Sequence, residues 1–287
     1  MGVELRRAVG ADAEVCARII YEAFKSIADR HGFPPAFPSL EVALRVANLF
    51  LGLPTMYGLV AVSDNHVVGA VFLDEGDPIR AVAIVAVDPA AQRRGLGRTL
   101  MEAALERARG AAGVRLVQEA YNTQAMGLYA SLGFAVKEPL VRIAGRPRSG
   151  PPANVEIRRL TAEDLEDCER LCRRVHGITR TDDLRDALRL FTPFACARGG
   201  RITAYSYAVF AGILAWGVAE TEEDMKALLL GIAAAVREPL AFHLPIRQAG
   251  FFRWCLDEGL RIEKPLTLMA IGEYHEPRGS YFPSGFS

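Results

Sequence analysis

Ala81-Val82-Ala83-Ile84-Val85-Ala86-Val87-Asp88-Pro89-Ala90-Ala91-Gln92-Arg93-Arg94-Gly95-Leu96-Gly97-Arg98-Thr99-Leu100 is the stretch whose reading decides the fold. Ala81 to Val87 is small and β-branched, which predicts a strand, and Asp88-Pro89 stops it. Gln92 to Gly97 reads as a loop, and a helix is expected to start at Arg98. Glycines let a backbone approach an anion closely, a new helix offers it unpaired N–H groups, and Arg93, Arg94 and Arg98 add positive charge. The stretch therefore predicts a pyrophosphate cradle. It lacks the Gly-x-x-x-x-Gly-Lys-[Ser/Thr] of a nucleotide P-loop and the Gly-x-Gly-x-x-Gly of a dinucleotide site.

Working outward, a second block follows after one intervening helix. Val114 to Asn122 reads as a strand, Ala125 to Leu132 as a helix, and Gly133-Phe134 closes that helix, with Gly133 suited to a left-handed C-terminus. Upstream, Val3 to Val9 reads as a strand, Asp12 to Arg30 and Ser39 to Leu51 as helices with Ser39 as an N-cap, and Tyr57 to Val62 and Val67 to Leu73 as a hairpin around Ser63-Asp64-Asn65-His66. Pro139 to Ile143 is a final strand.

Gln-x-x-Gly-x-Gly after a β-branched strand, then a strand ending in Asn122, then Leu128-Tyr129 seven residues on and Leu132-Gly133-Phe134, resembles the GCN5-related N-acetyltransferase (GNAT) superfamily. The resemblance implies an α/β (α+β) fold with a mixed, mostly antiparallel central sheet flanked by helices. It implies acetyl-CoA as cosubstrate and direct transfer of the acetyl group to an amine in a ternary complex. By the same resemblance the cofactor-binding residues are Val85, Ala86 and Val87, with Gln92, Arg93, Arg94, Gly95, Leu96, Gly97, Arg98, Thr99 and Asn122. The main-chain groups of Val85 and Val87 pair with the pantetheine arm, and Tyr129 is the general acid that protonates the departing sulfur.

The general base is where this chain departs from the pattern. The two positions at which family members carry a glutamate hold Ala81 and Val117, neither of which accepts a proton. Glu119, three residues before Asn122, is the first substitute, and Asp74, Glu75 and Asp77 form a second acidic cluster. The missing base also motivates a rival reading, an acyl-CoA-binding sensor without turnover. Phe33-Pro34-Pro35-Ala36-Phe37-Pro38 is a rigid aromatic connector suited either to a pocket wall or to fixing the second helix.

The 287 residues suit two domains. We expect an acetyl-CoA-binding domain over 1–144, a Gly/Pro/Arg-rich linker over 145–154, and a second domain over 155–287. Val155-Glu156-Ile157-Arg158-Arg159 echoes Val3-Glu4-Leu5-Arg6-Arg7, with an acid six residues after the first Arg of each pair, at Asp12 and Asp164, which suggests an internal duplication. The second copy is expected to be degenerate, because Ala215 to Glu222 leads into its helix without Gln-x-x-Gly-x-Gly and with acids in place of the arginines.

Lys+Arg and Asp+Glu both number 34, so no net field favours nucleic acid or a membrane, and a small-molecule or peptide amine is the expected partner, bound by a monomer or homodimer. Five cysteines without a CxxC pair, and an N-terminus without an apolar leader, predict a cytoplasmic protein. Cys168, Cys172 and His176 share one helix face but lack a fourth ligand, so no metal is expected. The tail from Glu276 to Phe286 carries aromatics and is expected to pack against the N-terminal cleft.

Overall fold

The computed structural model describes residues 2–209 and 212–285. The first half runs β1 (Glu4–Arg7), α1 (Ala13–His31), α2 (Leu40–Gly52), β2 (Met56–Ser63), β3 (His66–Asp74), β4 (Ile79–Val87), α3 (Leu96–Arg107), β5 (Gly113–Glu119), α4 (Thr123–Ser131) and β6 (Ala135–Gly145). The second half runs β7 (Glu156–Arg159), α5 (Leu165–His176), α6 (Thr181–Leu190), β8 (Phe194–Arg198), β9 (Arg201–Tyr207), β10 (Trp216–Ala219), α7 (Glu222–Ala235), β11 (Leu240–Pro245), α8 (Ala249–Asp257), β12 (Arg261–Gly272) and β13 (Ser280–Phe282).

Local chemistry explains most boundaries. Ser39 Oγ accepts from Val42 N to cap α2, and Asp64 and Asn65 take the positive φ that a tight hairpin needs. The repeat is visible in side chains: Arg6 forks onto Asp12 and Arg158 onto Asp164, while Val9 N and Thr161 N each donate to the same carboxylate at 2.8 Å. One boundary differs from expectation. α3 begins at Leu96, not Arg98, because Gly95 at φ 84 serves as its left-handed N-cap and puts Gly97 inside the first turn.

Both halves are mixed layers of helix on sheet, but they share one of the sheets. The larger sheet has the order β1-β2-β3-β4-β5-β12-β6-β11, and the smaller one β13-β10-β9-β8-β7. β12, from the second half, lies between β5 and β6 of the first, and β6 in turn lies between β12 and β11. The coil after Gly145 divides the two sequence repeats, yet the strands on either side of it are exchanged.

α1 and α2 cover one face of the first sheet, with Ile19, Ile20, Phe50, Phe72 and Ile84 in that core, and α3 covers the other with Leu100, Met101, Val71 and Leu116. Among the described residues only β4 and β5 run parallel, and they pair over Ile79–Ala81 and Gly113–Arg115. Ala83 is bulged, since Leu73 faces Val82 while Phe72 faces Ile84. A bulge bends its strand, so β4 turns away from β5 and a wedge opens beyond Ala81.

The second copy lacks such a wedge. The edge of β10, the counterpart of β4, is paired with β13 in the register Gly217↔Phe282. The Phe282 ring is fully buried and packs tilted against Phe242 of β11, ring centroids 4.7 Å apart; a Cβ on Gly217 would lie 2.4 Å from it. The tail thus packs, but mainly on its own copy's edge instead of the N-terminal cleft, which only Gly285 reaches; Phe286 lies outside the described residues. Cys168 and Cys172 are buried core residues and His176 stacks on Trp216. No helix among the described residues is long and apolar enough to cross a membrane.

Candidate active site

The β4/β5 wedge opens into a cavity of about 370 Å³. Asp88 N donates to Val68 O, so alternation along the antiparallel β3–β4 ladder turns the main-chain groups of Ala86 toward β3 and those of Val85 and Val87 toward the wedge. Val87 O already accepts from Gln92 Nε2 at 3.1 Å, which ties the loop to the strand. Ala86 therefore lines the cavity without offering its backbone.

At one end of the wedge stands the N-terminus of α3. Thr99 N is the first helical donor to find an intrahelical partner, Gly95 O, which leaves the N–H groups of Leu96, Gly97 and Arg98 unpaired within the helix. These groups and the helix dipole suit an anion. Arg93, at φ 64, and Arg98 line the cavity there, and Arg98 Nη2 is held by Ser131 Oγ at 2.5 Å. Arg94 and Thr99 do not line it; Thr99 Oγ1 turns back to Gly95 O. A Cβ on Gly97 would touch Leu128 Cδ2 at 3.5 Å, an ordinary contact, so the glycine of greater consequence is Gly95, where φ excludes most side chains.

Asn122 and Tyr129 both face the cavity from α4. Asn122 Oδ1 accepts from Ala125 N at 3.1 Å as the helix N-cap, so its amide N–H groups are what it can present to a ligand. Burial pushes the Tyr129 phenol up to about 12, which keeps it protonated and able to donate.

Glu119 also lines the cavity, with its side chain 8% exposed, and its Oε1 accepts from Lys264 Nζ at 2.6 Å. Lys264 belongs to β12; its ammonium also reaches Pro34 O at 3.3 Å, and burial lowers its pKa. The aromatic connector therefore supports the site: Phe33 stacks on Tyr121 at 4.5 Å, Phe37 meets Phe24 edge-on, and Ala36 lines the wall. The second acidic cluster lies elsewhere. Glu75 is forked onto Arg107, Asp74 accepts from Gly76 N, and Asp77 accepts from Asp182 N and Asp183 N at the start of α6, so none of these acids lines the cavity and Asp77 joins the two halves.

Arg142, His243 and Lys264 are cavity residues that the reading of the sequence missed. Arg142 Nε approaches Glu263 Oε2 at 2.6 Å, and its guanidinium packs on Gly212, where a Cβ would lie 3.0 Å away. Burial, then Arg142 and Lys264, hold the His243 imidazole down to about 3, so it is neutral and a weak base. No local motif marks these residues, because exchanged strands bring them to the cavity.

In the second copy the corresponding helix start is acidic. Glu222, Glu223 and Asp224 occupy the first turn of α7, and Glu220 just before it is bound by Arg201 and Arg174.

Residues 21–134 match the acetyltransferase (GNAT) family model. A mycothiol acetyltransferase of Nocardia farcinica is 37% identical over 148 residues, covering 47% of this chain and 46% of that protein. The chain thus spans about half the length of that curated relative. A Pyrococcus horikoshii protein of provisional acetyltransferase assignment superposes with a TM-score of 0.72 at 17% identity, over 98% of this chain and 94% of that one. A tandem GNAT protein from the clavulanic acid biosynthesis pathway gives 0.60 at 12% identity, over 94% and 98%. Both share the tandem fold.

Proposed function

We propose, from the match of residues 21–134 to the acetyltransferase (GNAT) family model, that the protein is an N-acetyltransferase that moves an acetyl group from acetyl-CoA directly to a primary amine. The wedge carries the reading: β4 parts from β5 just where unpaired main-chain groups, an anion-binding helix start and a protonated tyrosine converge. Acetyl-CoA supplies the activated thioester. In this reading Leu96, Gly97 and Arg98, with Arg93, hold its pyrophosphate, and the backbone of Val85 and Val87 holds the pantetheine as a neighbouring strand would. The Val85 N–H donates to the thioester carbonyl where negative charge builds.

Tyr129 donates the proton that the leaving sulfur takes up. Glu119, held by Lys264, draws in the cationic amine and receives its proton. The first domain, 1–144, supplies the donor cleft; the second, 155–287, supplies part of the acceptor wall and no donor site of its own.

Thermal melting with and without acetyl-CoA tests the cradle, because a ligand bound only by the folded state raises the midpoint by an amount set by its affinity. Wild type is expected to shift and Gly95→Glu, which puts a strained acid into the helix N-cap, is expected not to. Free CoA should then appear with at least one primary amine. A wild-type shift without CoA release from any amine would favour the acyl-CoA sensor that the absent glutamates at Ala81 and Val117 suggest.

A further inference from the structure

β11, β6, β12 and β5 lie side by side and come alternately from the two halves. His243 on β11 stands directly opposite Arg142 on β6, and Arg142 directly opposite Lys264 on β12. Directly opposed residues share a face of the sheet, so the three form a row, and the ion pair from Lys264 extends it to Glu119 on β5. All four line the same cavity.

The two ends of the row differ. At one end stands a carboxylate. At the other, His243 Nδ1 is buried without a hydrogen-bond partner in a residue only 3% exposed, and Arg142 has a buried Nε that makes no aligned hydrogen bond although Glu263 Oε2 lies 2.6 Å away. Buried polar groups left unmatched are costly in a fold and are ordinarily matched by a ligand or water. Strands about 5 Å apart put the two ends within about 10–15 Å at the backbone, and long side chains narrow that distance.

We propose that this row is the acceptor-binding floor and that the acceptor is an amine carrying a carboxylate, its ammonium directed to Glu119 and its carboxylate to Arg142 and His243. The inference rests on the acetyl-transfer reading for the role of the amine, but the row itself predicts binding whether or not transfer follows. Glu263 competes with the ligand for Arg142, which gives substitutions at the two positions opposite effects. A planar guanidinium held at one edge by Glu263 keeps its other edge for a second carboxylate.

The test uses the full chain and a series of glycine, β-alanine, 4-aminobutyrate and glycylglycine, each paired with its neutral amide. CoA release gives KM, and calorimetric titration into the CoA-bound protein gives affinity without turnover. At least one carboxylate is expected to outdo its amide by roughly tenfold to a hundredfold, the range of a charge-assisted contact. Arg142→Gln should erase that preference while the acetyl-CoA melting shift persists, and Glu263→Gln should strengthen it. Equal binding of acids and amides, or Arg142→Gln and Glu263→Gln weakening both alike, would overturn the proposal and leave the row a structural seam. If acetyl-CoA binds and no amine is acetylated, the transfer reading fails while the calorimetry still decides this one.

Discussion

Tyr129 and Glu119 show how far a single side chain could be read from the sequence. The pattern around Tyr129 predicts a tyrosine at the cleft, and the structure puts it on the cavity wall with its phenol raised to about 12 by burial. A phenol held that high stays protonated throughout the neutral range. Tyr129→Phe is accordingly expected to lower kcat by on the order of a hundredfold with an unchanged acetyl-CoA melting shift, and its loss should leave no new ionisation in a rate profile between pH 6 and 9. Glu119 was legible as an acid near the site, but its partner was not. Lys264 is 145 residues away in sequence, on a strand whose place in the sheet depends on the exchange. Removing one member of such a buried pair typically costs about 3–5 kcal/mol by stranding the other.

At the scale of elements, the sequence announces strands, helices and caps because their signals are local: a serine before an apolar helix, a paired turn between β-branched runs, a glycine after a helix. The bulge at Ala83 has no such signal, since it is a property of the pairing between Phe72, Leu73 and β4. The contact between α6 and the β3–β4 turn is equally non-local. Asp77 accepts from two N–H groups at the start of α6, and burial, opposed by Arg180, raises its carboxyl to about 6. An unfolded aspartate titrates near 3.9, so between about pH 4 and 6 the folded protein holds more protons there. Stability from this group is therefore greatest in acid and declines as pH rises through 6. Asp77→Asn keeps a capping oxygen and removes the titration. Its melting midpoint should lose that decline and exceed wild type at pH 7 by the equivalent of roughly 1–3 kcal/mol; an unchanged slope between pH 4 and 7 would count against the assignment.

For the molecule as a whole, duplication was legible from the echo of Arg6 and Asp12 in Arg158 and Asp164, but the exchange of β6 and β12 was not, because a hydrophobic strand pattern does not name its neighbour. β12 covers β5 along seven registered pairs, from Leu266↔Glu119 to Gly272↔Gly113. A fragment of residues 1–150 should therefore lack a cooperative melt and expose the edges of β5 and β6, while coexpression with residues 151–287 should restore a single transition and acetyl-CoA binding. A cooperative, ligand-binding 1–150 fragment would show that the exchange is dispensable.

The same geometry sets an order of events during synthesis. β5 leaves the ribosome well over a hundred residues before the strand that must lie against it, a delay on the order of ten seconds at common elongation rates. Through that interval an apolar edge stands open in the nascent chain. The exchanged strand thus makes a segment translated long after β5 a condition for sealing the first domain, and it exposes expression yield to conditions that slow the ribosome or crowd unfinished chains together.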